Sequence, residues 1–464
     1  MRITKKYFKL VCAVIVAVMV STLISGCSLR GNTSTAPKTF VIWGFDDEDV
    51  WKPIIKEAQK ASLKDYDVKY AKKTLDDSYE NNSLNSILSG QGPDVWAIPN
   101  DWVYRHKDKL APMPDSLIKS SKINLDDQYV PAIKQSGYFD GKIYSLSPVV
   151  DSLMIYYNPT LMDSTLEEYN NNHKGSDNSE NRKNATQLLG QIPSTWSTLI
   201  ESSKLITQRN GDNIVRSGIA LGTSNNIGNS DDILYALMLQ NGAKLTSDDF
   251  KLATFNLPQN ISGASNLPGK SALDFYTSFA NPGSVNYSWS QSMPDSVESF
   301  TQDKVAMIIG YGSLSNYLAQ IYPNFKYKKA PLPQIGISNE TVVDFASYNT
   351  YVVPKLSNNA SNAWSFILSL SGDQASTYSN TVKLPVSNKN KSFQPSLKDR
   401  EGSNSPDKSQ SQTAQMWVKG RYPKEINQII KAMINNVNTG QQDSQTALDT
   451  AANATTNLLR KDTW

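Results

Sequence analysis

The chain has 464 residues, with 46 Lys and Arg against 43 Asp and Glu, two His, two Cys and a formal charge of +3. Four of the basic residues (Arg2, Lys5, Lys6 and Lys9) crowd the N-terminus and no basic stripe appears elsewhere, which excludes a nucleic-acid partner. His106 and His173 alone cannot make a histidine-rich metal site, and neither metal nor cofactor is expected.

An apolar run from Leu10 to Leu23 follows the basic start and ends in Leu23-Ile24-Ser25-Gly26-Cys27. That order is the layout of an export signal, and the apolar run is marginal for a permanent span of about 20 residues. The cysteine placement resembles a lipoprotein box, in which Cys27 is lipidated and becomes the new N-terminus. The competing reading is an uncleaved signal anchor with an incidental cysteine. Lipidation would tie the chain to a bilayer, each buried CH₂ contributing about 0.8 kcal/mol. Residues 1–26 then read as signal peptide and 27–38, small and polar, as a flexible tether. Cys12 leaves with the signal, so no disulfide can form and stability rests on the core. What remains exceeds the size of one continuous core, and two domains are expected.

Phe40-Val41-Ile42-Trp43-Gly44 reads as a buried strand, Trp51 to Ala61 as a helix, and Asp67 to Ala71 as a second strand. Ser78 to Leu88 is a helix closed by Gly90, and Pro93 to Ile98 a third strand. This alternation predicts a parallel α/β unit, which places ligands beyond the carboxyl ends of its strands. Trp43 to Asp47 and Asn100 to Trp102 fall there. Asp140-Gly141 suits a tight hairpin. Pro148 to Asn158 is a long strand-like run with Asp151 near its start, an acid open to either a capping or a ligand role.

Residues 168–185 and 386–413 are polar, poor in large apolar groups, and read as mobile insertions. Pro193-Ser194-Thr195-Trp196 opens a helix through Ile206, with Ser194 or Thr195 as its cap. Gly218 to Gly222 and Lys304 to Gly310 read as strands, Asp232 to Gln240 and Leu273 to Phe279 as helices. Tyr348 to Pro354 continues as an extended run before a helix from Asn358 to Leu370; Ile426 to Leu459 is helical with a break at Gly440.

Val41-Ile42-Trp43, Gly92-Pro93-Asp94-Val95, Gly141-Lys142-Ile143-Tyr144, Tyr156-Tyr157-Asn158, Pro193-Ser194-Thr195-Trp196, Lys304-Val305-Ala306-Met307 and Lys383-Leu384-Pro385-Val386 occur in order behind the lipobox. Together they resemble the family 1 extracellular solute-binding proteins, the class that includes maltose-binding protein. The resemblance implies a type II periplasmic-binding-protein-like α/β fold, two lobes joined by a hinge with a ligand cleft between them. Lobe 1 would comprise 39–147 plus 350–385 and lobe 2 154–344 plus 388–464, with crossings at 147–153, 345–352 and 384–387. It further implies a monomeric, non-enzymatic protein, anchored on the extracytoplasmic face of a bacterial membrane, that captures a mono- or oligosaccharide for the permease subunits of an ABC importer.

By the same resemblance, Asp46 and Asp47 would accept sugar hydroxyls, with Trp43 or Phe45 over an apolar sugar face. Asn100, Asp101 and Trp102 follow the third strand, Asp151 is the crossing acid, and Asn225 lies on the loop after Leu221. The maltose-binding branch carries a tryptophan just after its Ala-Met strand; this chain has Gly310-Tyr311-Gly312 there, so Tyr311, or Trp289 from elsewhere, would supply the platform, with Tyr348 nearby. Each aromatic also has a plain core reading, the stronger one for Trp43, Trp96 and Trp196. The acids Asp46, Asp47, Asp101 and Asp151 leave a cationic solute as the alternative cargo. A glycosidase needs paired carboxylates, but no Gly-x-Ser-x-Gly elbow, His-Glu-x-x-His site or P-loop is present. A surface docking module would instead display its aromatics on a convex face.

Overall fold

The computed structural model describes residues 38–174, 179–261, 264–336, 342–391 and 410–461. Its frame is two mixed sheets flanked by helices, one in each of two α/β lobes joined by a hinge region. The chain starts with β1 (Lys38–Gly44), α1 (Glu48–Ala58), β2 (Tyr66–Lys72), α2 (Tyr79–Leu88), β3 (Val95–Pro99) and the short α3 (Trp102–His106). Ile42 pairs with Val95 and Trp43 with Trp96 in parallel register. Helix α1 starts earlier than expected, with Glu48 and Asp49 in a first turn whose exposed amide dipoles favour acids. Its buried face is Trp51, Ile54 and Ala58, one turn apart. Trp51 stacks on Tyr70 at 4.9 Å and meets the edge of Tyr351 at 5.5 Å, tying helix to sheet.

The second lobe is built from β4 (Leu153–Tyr157), α4 (Pro159–Asn172), α5 (Ser179–Gly190), α6 (Trp196–Ile206), β5 (Gln208–Asn210), β6 (Asn213–Ile219), α7 (Ser230–Gln240), α8 (Pro268–Ser278), β7 (Val305–Tyr311), α9 (Leu314–Ile321) and β8 (Lys328–Pro331). Its strand order is β8-β4-β7-β6-β5, with β6 and β7 parallel and the other pairs antiparallel. Six of seven residues of β7 are buried, which is why it reads as a continuous apolar run rather than an alternating one.

The chain then passes through β9 (Asp344–Phe345), β10 (Asn349–Val352), α10 (Ala360–Ser371), α11 (Ala375–Val382), β11 (Ala414–Gln415), α12 (Pro423–Asn438) and α13 (Ser444–Arg460). Strand β10 joins the first sheet antiparallel to β3, in the order β10-β3-β1-β2, so that sheet is mixed rather than wholly parallel. Helices α12 and α13 pack on the second core through Ile426, Ile430, Leu448 and Ala452.

Three hydrophobic clusters hold the described residues together. One lies in the second lobe around Leu153, Trp289 and Phe300. Another packs Phe40, Trp51, Val150 and Trp364, and a smaller one gathers Trp43, Trp96, Val352 and Met416. Between Val150 and Leu153, and again between Phe345 and Ala346, neighbouring residues change cluster. Those segments are laced together: Val150 N–H to Pro385 O at 3.0 Å, Ser347 N–H to Asp151 O at 3.1 Å and Ala346 N–H to Gln415 O at 2.8 Å.

Three expectations change, while the break expected at Gly440 stands. The run Pro148–Asn158 is a strand only from Leu153; Val149 and Ser152 make single bridges to Val386 and Ala346 instead, because two crossing segments compete for their backbone. The C-terminal stretch is, as expected, helical with one break: two helices divided where Gly440 takes a φ of +68°. Of 168–185, residues 168–172 end α4 and residues 179–185 lie in α5, which buries Ala185 and Leu189, so these stretches are helical rather than a loop insertion. Of 386–413, residues 392–409 lie outside the described residues, but both ends are buried: Ser387 and Gln410 are fully covered.

Candidate functional site

The loop after β3 faces the start of α7 across a cavity of about 70 Å³, lined by Asn100, Asp101, Asp232, Phe345, Ala346, Ser347, Met416, Trp417, Lys419 and Asn427. Asp101 comes from the end of a buried apolar strand, Asp232 from the first turn of a buried helix, and Lys419 from the strap that follows β11. The ammonium of Lys419 stands 3.8 Å from a carboxylate oxygen of each aspartate, with its side chain only 5% exposed. It also lies 5.0 Å from the ring centre of Tyr235. Such distances are longer than direct hydrogen bonds, so the acids and the cation attract one another while retaining capacity for further polar partners.

Burial pushes the Asp101 carboxyl up, against the pull of Lys419. Neighbouring Asp231 rises to about 6, through burial first and the Asp232 charge second. Asp231 is paired with Lys431 at 3.5 Å. The Tyr311 hydroxyl donates to Asp232 at 2.7 Å, which brings the end of β7 to the same place. The strap itself touches both lobes. The Asn100 amide contacts the Met416 sulfur at 3.6 Å, Arg421 pairs with Asp108, and Trp417 meets the Tyr235 ring edge-on at 4.8 Å.

Of the residues singled out in the sequence, Asn100 and Asp101 line this cavity, and Tyr311 joins them through its hydrogen bond to Asp232. Trp102 adjoins them, half-buried, its ring 6.4 Å from Tyr79. A second group sits at the carboxyl end of β1: Trp43 is buried with the Lys73 ammonium 4.0 Å over its ring, and Asp47 pairs with Lys72 at 2.6 Å. Asp46 accepts from the Tyr378 hydroxyl at 2.5 Å, and burial raises its carboxyl. Asp151 accepts the Gly312 and Ser313 amides at 2.6 and 3.0 Å, capping the entry to α9 and so fixing Tyr311.

Trp289 is fully buried, its indole N–H given to Asn226 at 3.1 Å beside the exposed Asn225. Tyr348 is buried with its hydroxyl 2.8 Å from that of Ser136, and its backbone exchanges hydrogen bonds with Asn100. Tyr348 therefore stands behind the cavity wall, whereas Trp289 belongs to the core of the second lobe. Sequence reasoning missed Asp232, Lys419, Trp417 and Asn427. The available signal was Trp417-Val418-Lys419-Gly420, a cation interrupting an apolar run ahead of an amphipathic helix. Among the described residues, no group of three or more His, Cys, Asp or Glu could hold a metal, and no helix is long and apolar enough to cross a membrane.

Comparison with known proteins gives this arrangement a context. A family model for bacterial extracellular solute-binding proteins matches residues 54–399. The fold is similar to a cyclic α-maltosyl-1,6-maltose binding protein from Arthrobacter globiformis, with a TM-score of 0.70 at 17% identity over 92% of this chain and all of that one. It is similar to the sugar-binding protein MalE of Xanthomonas citri, with a TM-score of 0.68 at 18% identity over 92% of this chain and 98% of the other. An ABC transporter solute-binding protein from Thermotoga lettingae, bound with α-D-tagatose, gives 0.63 at 20% identity over 91% of this chain and all of that one. Among curated protein sequences no match was found.

Proposed function

Because the chain belongs to the bacterial extracellular solute-binding proteins, a family that binds rather than transforms its solutes, we propose that it captures an uncharged carbohydrate between its lobes and delivers it to an ABC importer. The observation that carries this reading is the interlobe cavity, where Asn100 and Asp101 of one lobe face Asp232 of the other. Carboxylates and amides suit the donors and acceptors of a polyol, and the solved neighbours named for their ligands bind sugars. Asp46, Asp47 and Trp43 supply a second set of contacts along the β1 rim, and Trp102, Asp151, Asn225, Trp289, Tyr311 and Tyr348 contribute directly or by holding their neighbours. The lobes divide at 147–153, 345–352 and 384–387, and closure about these crossings signals occupancy to the permease.

The lipobox supports a further part of the reading: Cys27 is acylated, 1–26 is removed, 27–38 is the tether, and the protein works as a monomer on the extracytoplasmic face of the cell membrane. Residues 1–37 lie outside the described residues.

The test is thermal melting of the chain from residue 39 onward against mono- and oligosaccharides, polyamines and amino acids. A ligand of the folded state stabilises by RT ln(1 + [L]/Kd), about 2.7 kcal/mol at a hundredfold excess over Kd. One carbohydrate class should raise the melting temperature, and Asp101→Ala should abolish the rise. A rise with polyamines alone would replace the cargo and keep the fold.

A further inference from the structure

We infer that Lys419 is a built-in counter-ion that occupies the cationic position of the cleft and makes the site select against positively charged solutes. The inference rests on the proposed solute-binding role and goes beyond it by naming the residue that sets charge selectivity. Three carboxylates, Asp101, Asp231 and Asp232, gather where the lobes meet, and two ammonium groups, Lys419 and Lys431, answer them. Lys431 serves Asp231 from α12, with its side chain 37% exposed. Lys419 is different: it is buried, equidistant from acids of the two lobes, and set against an aromatic face.

A cluster of acids against Tyr235 and Trp417 is what an organic ammonium ion would seek, through charge and cation–π attraction together. Here the chain supplies that ammonium on a four-carbon stem. A second cation entering the cavity would meet like charge at short range in a poorly solvated site, whereas a neutral hydroxyl would find acceptors and a donor at once. The distances of 3.8 Å leave the three charged groups able to engage such hydroxyls. The strap is anchored on both sides, by Arg421 on Asp108 and by Trp417 on Tyr235, so the ammonium is held in register with the cavity.

The experiment is chemical rescue, which needs no knowledge of the natural solute. Lys419→Ala should melt lower than the native chain in sodium chloride. Butylammonium chloride at equal ionic strength should restore it in a saturable way, while the native chain and Lys419→Arg stay unmoved. Equal melting of Lys419→Ala and the native chain, with no response to butylammonium, overturns the inference. If Lys419→Ala does not fold in sodium chloride, Lys419→Met keeps the apolar stem and carries the same test with methylammonium.

Selectivity is read separately by titrating putrescine. Lys419→Met should bind it at least about tenfold more tightly than the native chain, the scale of a hydrogen bond to a charged group. Equal affinities for the two chains contradict the inference. Failure of every carbohydrate to bind the native chain would count against the proposed cargo, and both Lys419 readouts would still be decisive.

Discussion

At the scale of single residues, the acids of the cleft behave unlike surface carboxylates. Asp231, with a folded value of about 6 against an ordinary 3.8, holds its proton more tightly folded than unfolded. The stability this contributes is fully present below about pH 4 and is lost as pH rises through about 6. Asp231→Asn should therefore match the native chain near pH 4 and exceed it at pH 7 by up to about 3 kcal/mol in urea unfolding. A difference that does not vary between the two pH values would contradict the assignment. Asp151 is the opposite case, an acid whose two oxygens are engaged by backbone amides. Asp151→Ala leaves two N–H groups without their acceptor and should cost about 2–4 kcal/mol, while Asp151→Asn, keeping one acceptor, should cost less. In the sequence Asp151 interrupts an apolar run and Asp231 opens a helix, and nothing local to them tells the strained acid from the satisfied one. That distinction depends on Lys431, Gly312 and Ser313, distant in the chain.

At the scale of elements, what could be read from the sequence was whatever local periodicity decides. Strands β1, β3 and β7 and helices α2, α6 and α10 lie where apolar runs and turn residues predict. Thr195 caps α6 as a capping box with Thr198, as Ser-Thr-Trp suggests. The misread elements are those whose fate depends on partners: 148–152 as a crossing rather than a strand, and the described parts of 168–185 as the end of α4 and the start of α5, whose buried Ala185 and Leu189 suffice because α4 and α6 meet that helix. Asn100 and Asp101 were legible from the rule that ligands gather beyond strand ends. Lys419 was not, because the strap that carries it enters the cleft only through long-range contacts with Tyr235 and Asp108.

One glycine tests how tightly the second lobe's loop is built. Gly222, after β6, has a φ of +105°, and a Cβ there would lie 2.7 Å from the Ala280 amide nitrogen. Gly222→Ala combines that conformation with a backbone clash and should cost at least about 1–3 kcal/mol by denaturant unfolding. Wild-type stability would mean the loop relaxes freely.

At the scale of the whole molecule, two α/β lobes meet over charged groups drawn from both, so bringing the lobes together assembles the site and separating them dismantles it. Asp101, Asp232 and Lys419 belong to three different stretches of chain and form one ion-pair system only with the lobes together. These contacts hold the lobes together without a solute, and under the proposed function a solute would add to them by bridging the same groups. The measurement that bears most directly on this account is isothermal titration calorimetry of the chain from residue 39 onward with neutral oligosaccharides and, in parallel, with putrescine. The account predicts saturable heat with a neutral oligosaccharide, lost in Asp101→Ala, and none with putrescine. Heat with putrescine and silence with every neutral sugar would contradict it.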